Sequence, residues 1–140
     1  MRRALPGGYE LDDDKQRIDR PAVHAYLAGE SYWARGRSRA DMDALIESAQ
    51  RVVGLYHEGR QVGFSRTLSD GLVRSYLADV YVLEEHRGRG LGVELVRFTV
   101  DDGPFADTGW FLHTADAHEL YRRFGFEPPS DRVLERSRRR

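Results

Sequence analysis

The chain contains no cysteine, which excludes disulfides and cysteine-based metal sites and suits a reducing compartment. It has a single lysine, Lys15. No apolar run approaches the roughly 18–20 residues of a membrane span, and Met1 to Gly8 lack the apolar core of a secretory signal. The expected location is the cytoplasm. An excess of one charge sign is also missing: 22 basic and 23 acidic residues leave a net charge of −1. That argues against a nucleic-acid binder working by bulk electrostatics. The one basic block, Arg136-Ser137-Arg138-Arg139-Arg140, reads as a solvated terminus. Neither a repeat nor a linker divides the 140 residues, which suffice for a single domain over 1–140.

What the chain does have is organised around Tyr76 to Phe98. Tyr76 to Val82 is rich in aromatic and β-branched residues, as a buried strand should be. The polar, glycine-punctuated Leu83 to Gly92 turns the chain, and Leu91, Leu95, Val96 and Phe98 follow at helical spacing. A strand feeding a glycine-rich turn and a helix N-terminus is suited to hold an anion, because unpaired amides and the helix dipole converge there.

The surrounding pattern predicts a short strand at Tyr9 to Leu11 and a helix after Arg20-Pro21, closed by Gly29. Ser38 is placed as the N-cap of a second helix, with Asp41 three residues on. Strands follow at Val52 to His57, Gln61 to Leu68 and Leu72 to Val82, with hairpin turns at Glu58-Gly59-Arg60 and Asp70-Gly71. After Gly103-Pro104 come a strand at Thr108 to Thr114, a helix capped by Thr114 or Asp116 and ended by Gly125, and a last short strand at Val133-Leu134-Glu135. The expected class is α/β, with a mixed, mainly antiparallel sheet and about four helices.

The glycine loop fails two common phosphate motifs. In G-x-G-x-x-G the third glycine would be Val93 or Leu95, and the ATP-type loop needs a Gly-Lys-Ser/Thr that the lone Lys15 cannot supply. What remains, Arg87-x-x-Gly90-x-Gly92 after a strand, resembles the acetyl-CoA pyrophosphate loop of the GNAT superfamily of N-acetyltransferases. Ala117-His-Glu-Leu-Tyr-Arg-Arg-Phe-Gly-Phe126 is similar to that family's Ala-x-x-Leu-Tyr-x-x-x-Gly-Phe signature. The resemblance is specific over 52–126. Two departures stand out: Thr114 replaces the Asn often found seven residues before the Tyr, and little chain follows Phe126 for the usual closing hairpin.

The resemblance implies an acetyl-CoA-dependent N-acetyltransferase acting on an amine of a small molecule or peptide, with no metal, no nucleic-acid or membrane partner, and a homodimer allowed. It places the amides of Tyr81 and Val82 along the pantetheine and thioester. Arg87, Gly88, Arg89, Gly90, Leu91 and Gly92 would hold the pyrophosphate. Tyr121 matches the general-acid position at the thioester sulfur, its alternative being a core aromatic. Asp79 is the candidate base, or else a water relay serves; the competing reading of Asp79 is a structural carboxylate paired with an arginine. Tyr32, Trp33 and Arg35 fall where the family builds its acceptor wall, with Arg35 or Arg37 suited to a carboxylate. The alternative there is a pair of aromatics plugging the core edge. A rival for the whole chain is a non-catalytic acyl-CoA-binding sensor, which would keep the loop without needing Tyr121.

Overall fold

Two strands dense in valine, leucine and aromatic residues, β3 (Arg51–His57) and β4 (Arg60–Ser69), form the centre of the sheet in the computed structural model, which describes residues 1–139. Glu58 and Gly59 between them both have positive φ, the hairpin geometry whose twist matches the flanking strands. Upstream lie β1 (Arg2–Leu5), β2 (Tyr9–Asp12), α1 (Arg20–Gly29) and α2 (Arg39–Ser48). Downstream come β5 (Arg74–Val82), α3 (Leu91–Val96), β6 (Gly109–Leu112) and α4 (His118–Arg122). The strands lie side by side in chain order. All neighbours are antiparallel except β5 and β6. The expected mixed, mainly antiparallel sheet with four helices is therefore what the chain forms.

The helices divide between the two faces. Val23 and Leu27 of α1 and Met42 and Ile46 of α2 cover one, packing on Val52, Phe64 and Tyr81. α3 covers the other, where Leu91, Leu95 and Phe98 meet Leu11, Val53 and Leu55. The caps follow from sequence. Asp19 accepts the Ala22 amide at 3.1 Å and Ser38 accepts the Asp41 amide at 3.0 Å, each satisfying a first-turn donor. Lys15 Nζ donates to the carbonyls of Glu47 and Ala49 at 2.9 and 3.0 Å, closing the C-terminal end of α2.

α3 widens into a π-turn over Arg97–Asp101. Thr99 Oγ1 bonds back to the Leu95 carbonyl, while Arg51 donates to the carbonyls of Phe98 and Thr99 at 2.9 and 3.0 Å. The buried guanidinium thus satisfies the helix end and ties it to β3.

The sheet has one strand more than expected at its start, and one expected strand is absent at the end. β1 was not anticipated: Leu5-Pro6-Gly7-Gly8 reverses the chain so that Leu5 pairs with Tyr9, with Gly7 and Gly8 at φ +83° and +82°. Val133-Leu134-Glu135 is not a strand: Val133 and Leu134 are exposed, and the segment does not pair with the sheet.

Candidate active site

The site is made by two strands that part. β5 and β6 pair only from Arg74↔Gly109 to Leu77↔Leu112. Thr114 then turns the chain away, its Oγ1 accepting the Asp116 and Ala117 amides at 3.4 and 3.2 Å as α4 begins. Thr114, not Asp116, shapes this helix entry, although the cap position itself is Ala117. β5 continues alone to Val82, leaving its β6-side edge unpaired from Ala78 onward.

A bulge re-aims this free segment. Between the pairs Arg66↔Ala78 and Phe64↔Tyr81, β5 carries one residue more than β4, and Asp79 takes φ +55°. Leu77 and Val80 consequently both pack on the α3 side although three residues apart, which an unbroken strand cannot do. Beyond the bulge, the Leu83 amide donates to Val62 O at 2.8 Å. By alternation the Tyr81 amide turns toward β4 and the Val82 amide toward the open edge. Tyr81 is thus corrected: its amide belongs to the ladder, and its ring stacks on Tyr26 with centroids 3.9 Å apart.

On one side of the gap lies the glycine loop. Gly88 and Gly90 have φ +79° and +76°, and a Cβ at either would meet nothing within 4 Å. Their lack of a side chain permits this backbone and leaves the space above it clear. Gly90 is the N-cap of α3 and offers no capping side chain, so the first-turn amides around Leu91 and Gly92 remain free for an anion. The Leu91 side chain itself is buried in the core. Arg87 is a clamp, with Nε on Val82 O at 2.9 Å and Nη2 on Tyr26 Oη at 3.0 Å. Its guanidinium draws the loop against β5, while exposed Arg89 makes no hydrogen bond to the described residues.

Tyr121 packs beside Leu77, Val96 and Val100, with Val80 at the margin of the cluster. Burial, aided by Tyr32 and Asp116, pushes its phenol up to about 12. The proton therefore stays on at neutral pH. Among the described residues no group hydrogen-bonds this hydroxyl, yet it is not one of the sealed, unpaired polar atoms.

Across the gap, the α1–α2 loop brings side chains together. Trp33 Nε1 donates to Asp79 Oδ1, and Arg37 Nη1 and Arg66 Nε both donate to Asp79 Oδ2, each at 2.8 Å. The Asp79 side chain is only 1% exposed. Burial would raise its carboxyl, but the Arg66 and Arg37 charges and these hydrogen bonds prevail and hold it below the ordinary carboxylate value. A carboxylate with both oxygens spent on strong donors and little affinity for a proton is a poor base. Asp79 is therefore corrected to the structural carboxylate. Arg66 escapes the sequence reading, although a signal exists: it is a charge two residues from Phe64, at an inward position of a central strand.

Tyr32 and Trp33 are exposed and packed edge to face, and Tyr32 Oη accepts the Ala115 amide at 2.8 Å. That bond ties the α1–α2 loop to the β6–α4 turn. Trp33 is not a core plug: its indole N–H is committed to Asp79 while the residue keeps 41% exposure. Arg35 is exposed and makes no hydrogen bond to the described residues, whereas Arg37 already holds the internal carboxylate of Asp79.

Comparison with known proteins agrees with this geometry. The family model for the acetyltransferase (GNAT) domain matches residues 48–128. A crystal structure of a proposed GNAT-family acetyltransferase from Xanthomonas campestris pv. campestris is 33% identical, with TM-score 0.88 over 96% of this chain and 95% of that one. A proposed acetyltransferase from Deinococcus radiodurans shares the fold, with TM-score 0.74 at 20% identity over 97% of this chain and 94% of its own. A proposed acetyltransferase of Gibberella zeae is 33% identical over 106 residues, 61% of this chain; the chain spans 59% of that curated relative's length. The matched segment runs from the entry of β3 through the parted strands and the glycine loop to the end of α4, taking in Asp79, Gly88 to Gly92 and Tyr121 but not the α1–α2 loop: the chain belongs to the GNAT acetyltransferase family.

Proposed function

We propose that the protein transfers the acetyl group of acetyl-CoA to a primary amine of a small molecule or peptide. The observation that carries this reading is the Tyr121 hydroxyl, which has no hydrogen-bond partner among the described residues and packs beside the open segment of β5. The residues present fit acetyl-CoA. The clear space over Gly88 and Gly90 and the free amides at the start of α3 suit a pyrophosphate. The Val82 amide suits an arm lying along the strand edge. When bound, acetyl-CoA supplies an activated thioester.

The chain's own residues do the rest. The loop Gly88 to Gly92 anchors the cofactor, with Arg89 adding charge. Tyr121 gives a proton to the departing sulfur. A substrate ammonium with a Lys-like pKa near ~10.4 must lose a proton before attack. With Asp79 locked between arginines, water takes that proton. Tyr121→Phe should leave acetyl-CoA affinity nearly unchanged and lower turnover about 10²-fold or more, the usual range for a positioned acid. Free-thiol release beside a binding isotherm checks this. Undiminished turnover in a folded variant removes the acid role, and acetyl-CoA binding without thiol release across a broad set of amines would point to the sensor instead.

A further inference from the structure

We propose that the acceptor amine carries an anionic group, a carboxylate or a phosphate, and that Arg37 and Arg66 receive it. The inference rests on the acetyl-transfer reading and names the substrate class for the same cleft. It begins with a charge imbalance. Two guanidiniums converge on the single carboxylate of Asp79, so the cluster holds one positive charge in excess. Exposed Arg35 on the same loop adds to it.

The geometry shows where that excess is available. Both oxygens of Asp79 are engaged: Oδ1 takes the indole N–H and Oδ2 takes both arginines. Arg66 spends only Nε there, and Arg37 spends Nη1 there and on a contact with the Met42 sulfur. Both Nη groups of Arg66, and Nε and Nη2 of Arg37, have no hydrogen-bond partner among the described residues. Among the described residues the sealed side-chain polar atoms without one are Tyr56 Oη and Thr67 Oγ1, so these nitrogens are not fully closed off from solvent. Yet the Arg66 side chain is only 9% exposed. A cation this desolvated, with donors left unpaired, gains most from an anion that brings two acceptor oxygens.

The neighbourhood suits an acceptor of this kind. Trp33 spends its N–H on Asp79 but remains partly open, with Tyr32 against it, a wall for a short carbon frame. Asp79 adjoins Val80, at the start of the unpaired β5 edge. An anion seated on the arginines therefore presents its amine within a short spacer of the segment beside Tyr121. Other titratable groups on this face are Tyr76 and His113, joined at 2.6 Å, with Glu135 on the far side of the imidazole. Glu135 is hydrogen-bonded to His113 and forms no ion pair with either arginine.

The test uses primary amines on one carbon frame whose other end is a carboxamide, a carboxylate or a phosphate. For the wild type, kcat/KM from free-thiol release should favour an anionic member by about tenfold or more over the carboxamide, the scale of one charge-assisted contact. Which anion leads identifies the source. Arg37→Gln should narrow the preference to about twofold with the acetyl-CoA thermal shift intact, and Arg37→Lys should restore part of it. Equal use of neutral and anionic amines by the wild type overturns the inference while leaving acetyl transfer standing. If no amine in the set releases thiol, midpoints are read at saturating CoA, which fills the phosphate loop. A shift by an anionic amine, absent with its carboxamide and lost in Arg37→Gln, upholds the inference, and no shift overturns it. Should Arg37→Gln fail to fold, the wild-type preference decides alone.

Discussion

The two flanks of the cleft are built from different material. The Gly88–Gly92 side is backbone: positive-φ glycines, free amides, and one arginine clamping the loop to β5. The Trp33–Arg37 side is side chain: an indole and two guanidiniums converging on a buried carboxylate. A backbone site offers amides whatever side chains surround it, and so tolerates change around it. A side-chain site is specific, and it fails as a unit when one member is lost, because its charges were desolvated in expectation of one another.

That contrast is easiest to break at Asp79. Asp79→Ala leaves two guanidiniums facing each other without a counter-charge, and should cost about 3–5 kcal/mol in chemical denaturation. The folded fraction should still show the acetyl-CoA thermal shift, since the glycine loop lies across the gap. A loss under about 1 kcal/mol would mean that the network is not the structural unit described. Next in size is Gly90→Glu. At a hundredfold excess over Kd, acetyl-CoA should stabilise the wild type by about 2.7 kcal/mol. Charge and bulk at the phosphate position should abolish that gain, while positive φ costs the apo protein about 1–2 kcal/mol. Retention of the full shift would move the phosphate site elsewhere.

The smallest effect is a pH dependence that sharpens the comparison. The folded Asp79 carboxyl titrates below its ordinary 3.8, so the folded state binds this proton more weakly than the unfolded chain does. Its contribution is therefore complete above about pH 3.8 and is lost as pH falls through the folded value. The stability gap between wild type and Asp79→Asn should be constant at higher pH and shrink below 3.8. A gap that stays level through the acid range would argue against an ionised Asp79.

Legibility in the sequence follows the same division. The glycine loop and the Tyr121 helix are local patterns, each a dozen residues or fewer, and short-range spacing reveals them. So are the Ser38 cap and the central hairpins. The charged cluster joins residues 33, 37, 66 and 79, which only the folded sheet brings together. Alternation along β5 does place Asp79 and Tyr81 on one face, but the bulge that aims Asp79 at the arginines leaves no mark in the residue order. β1 was missed for another reason: Arg2 to Leu5 is too short and too polar to register, and its pairing depends on the Pro6-Gly7-Gly8 turn.

The lysine at the foot of α2 bears on how this chain would meet a reactive thioester. Of the 22 basic residues all but Lys15 are arginine, whose guanidinium stays charged and offers no nucleophilic nitrogen at neutral pH. Lys15 directs its ammonium at two carbonyl oxygens, so acylating it would cost both hydrogen bonds and uncap a helix. The side chains thus present almost nothing for a stray thioester to modify. Acyl label on a lysine of this sequence can be traced to Lys15 alone.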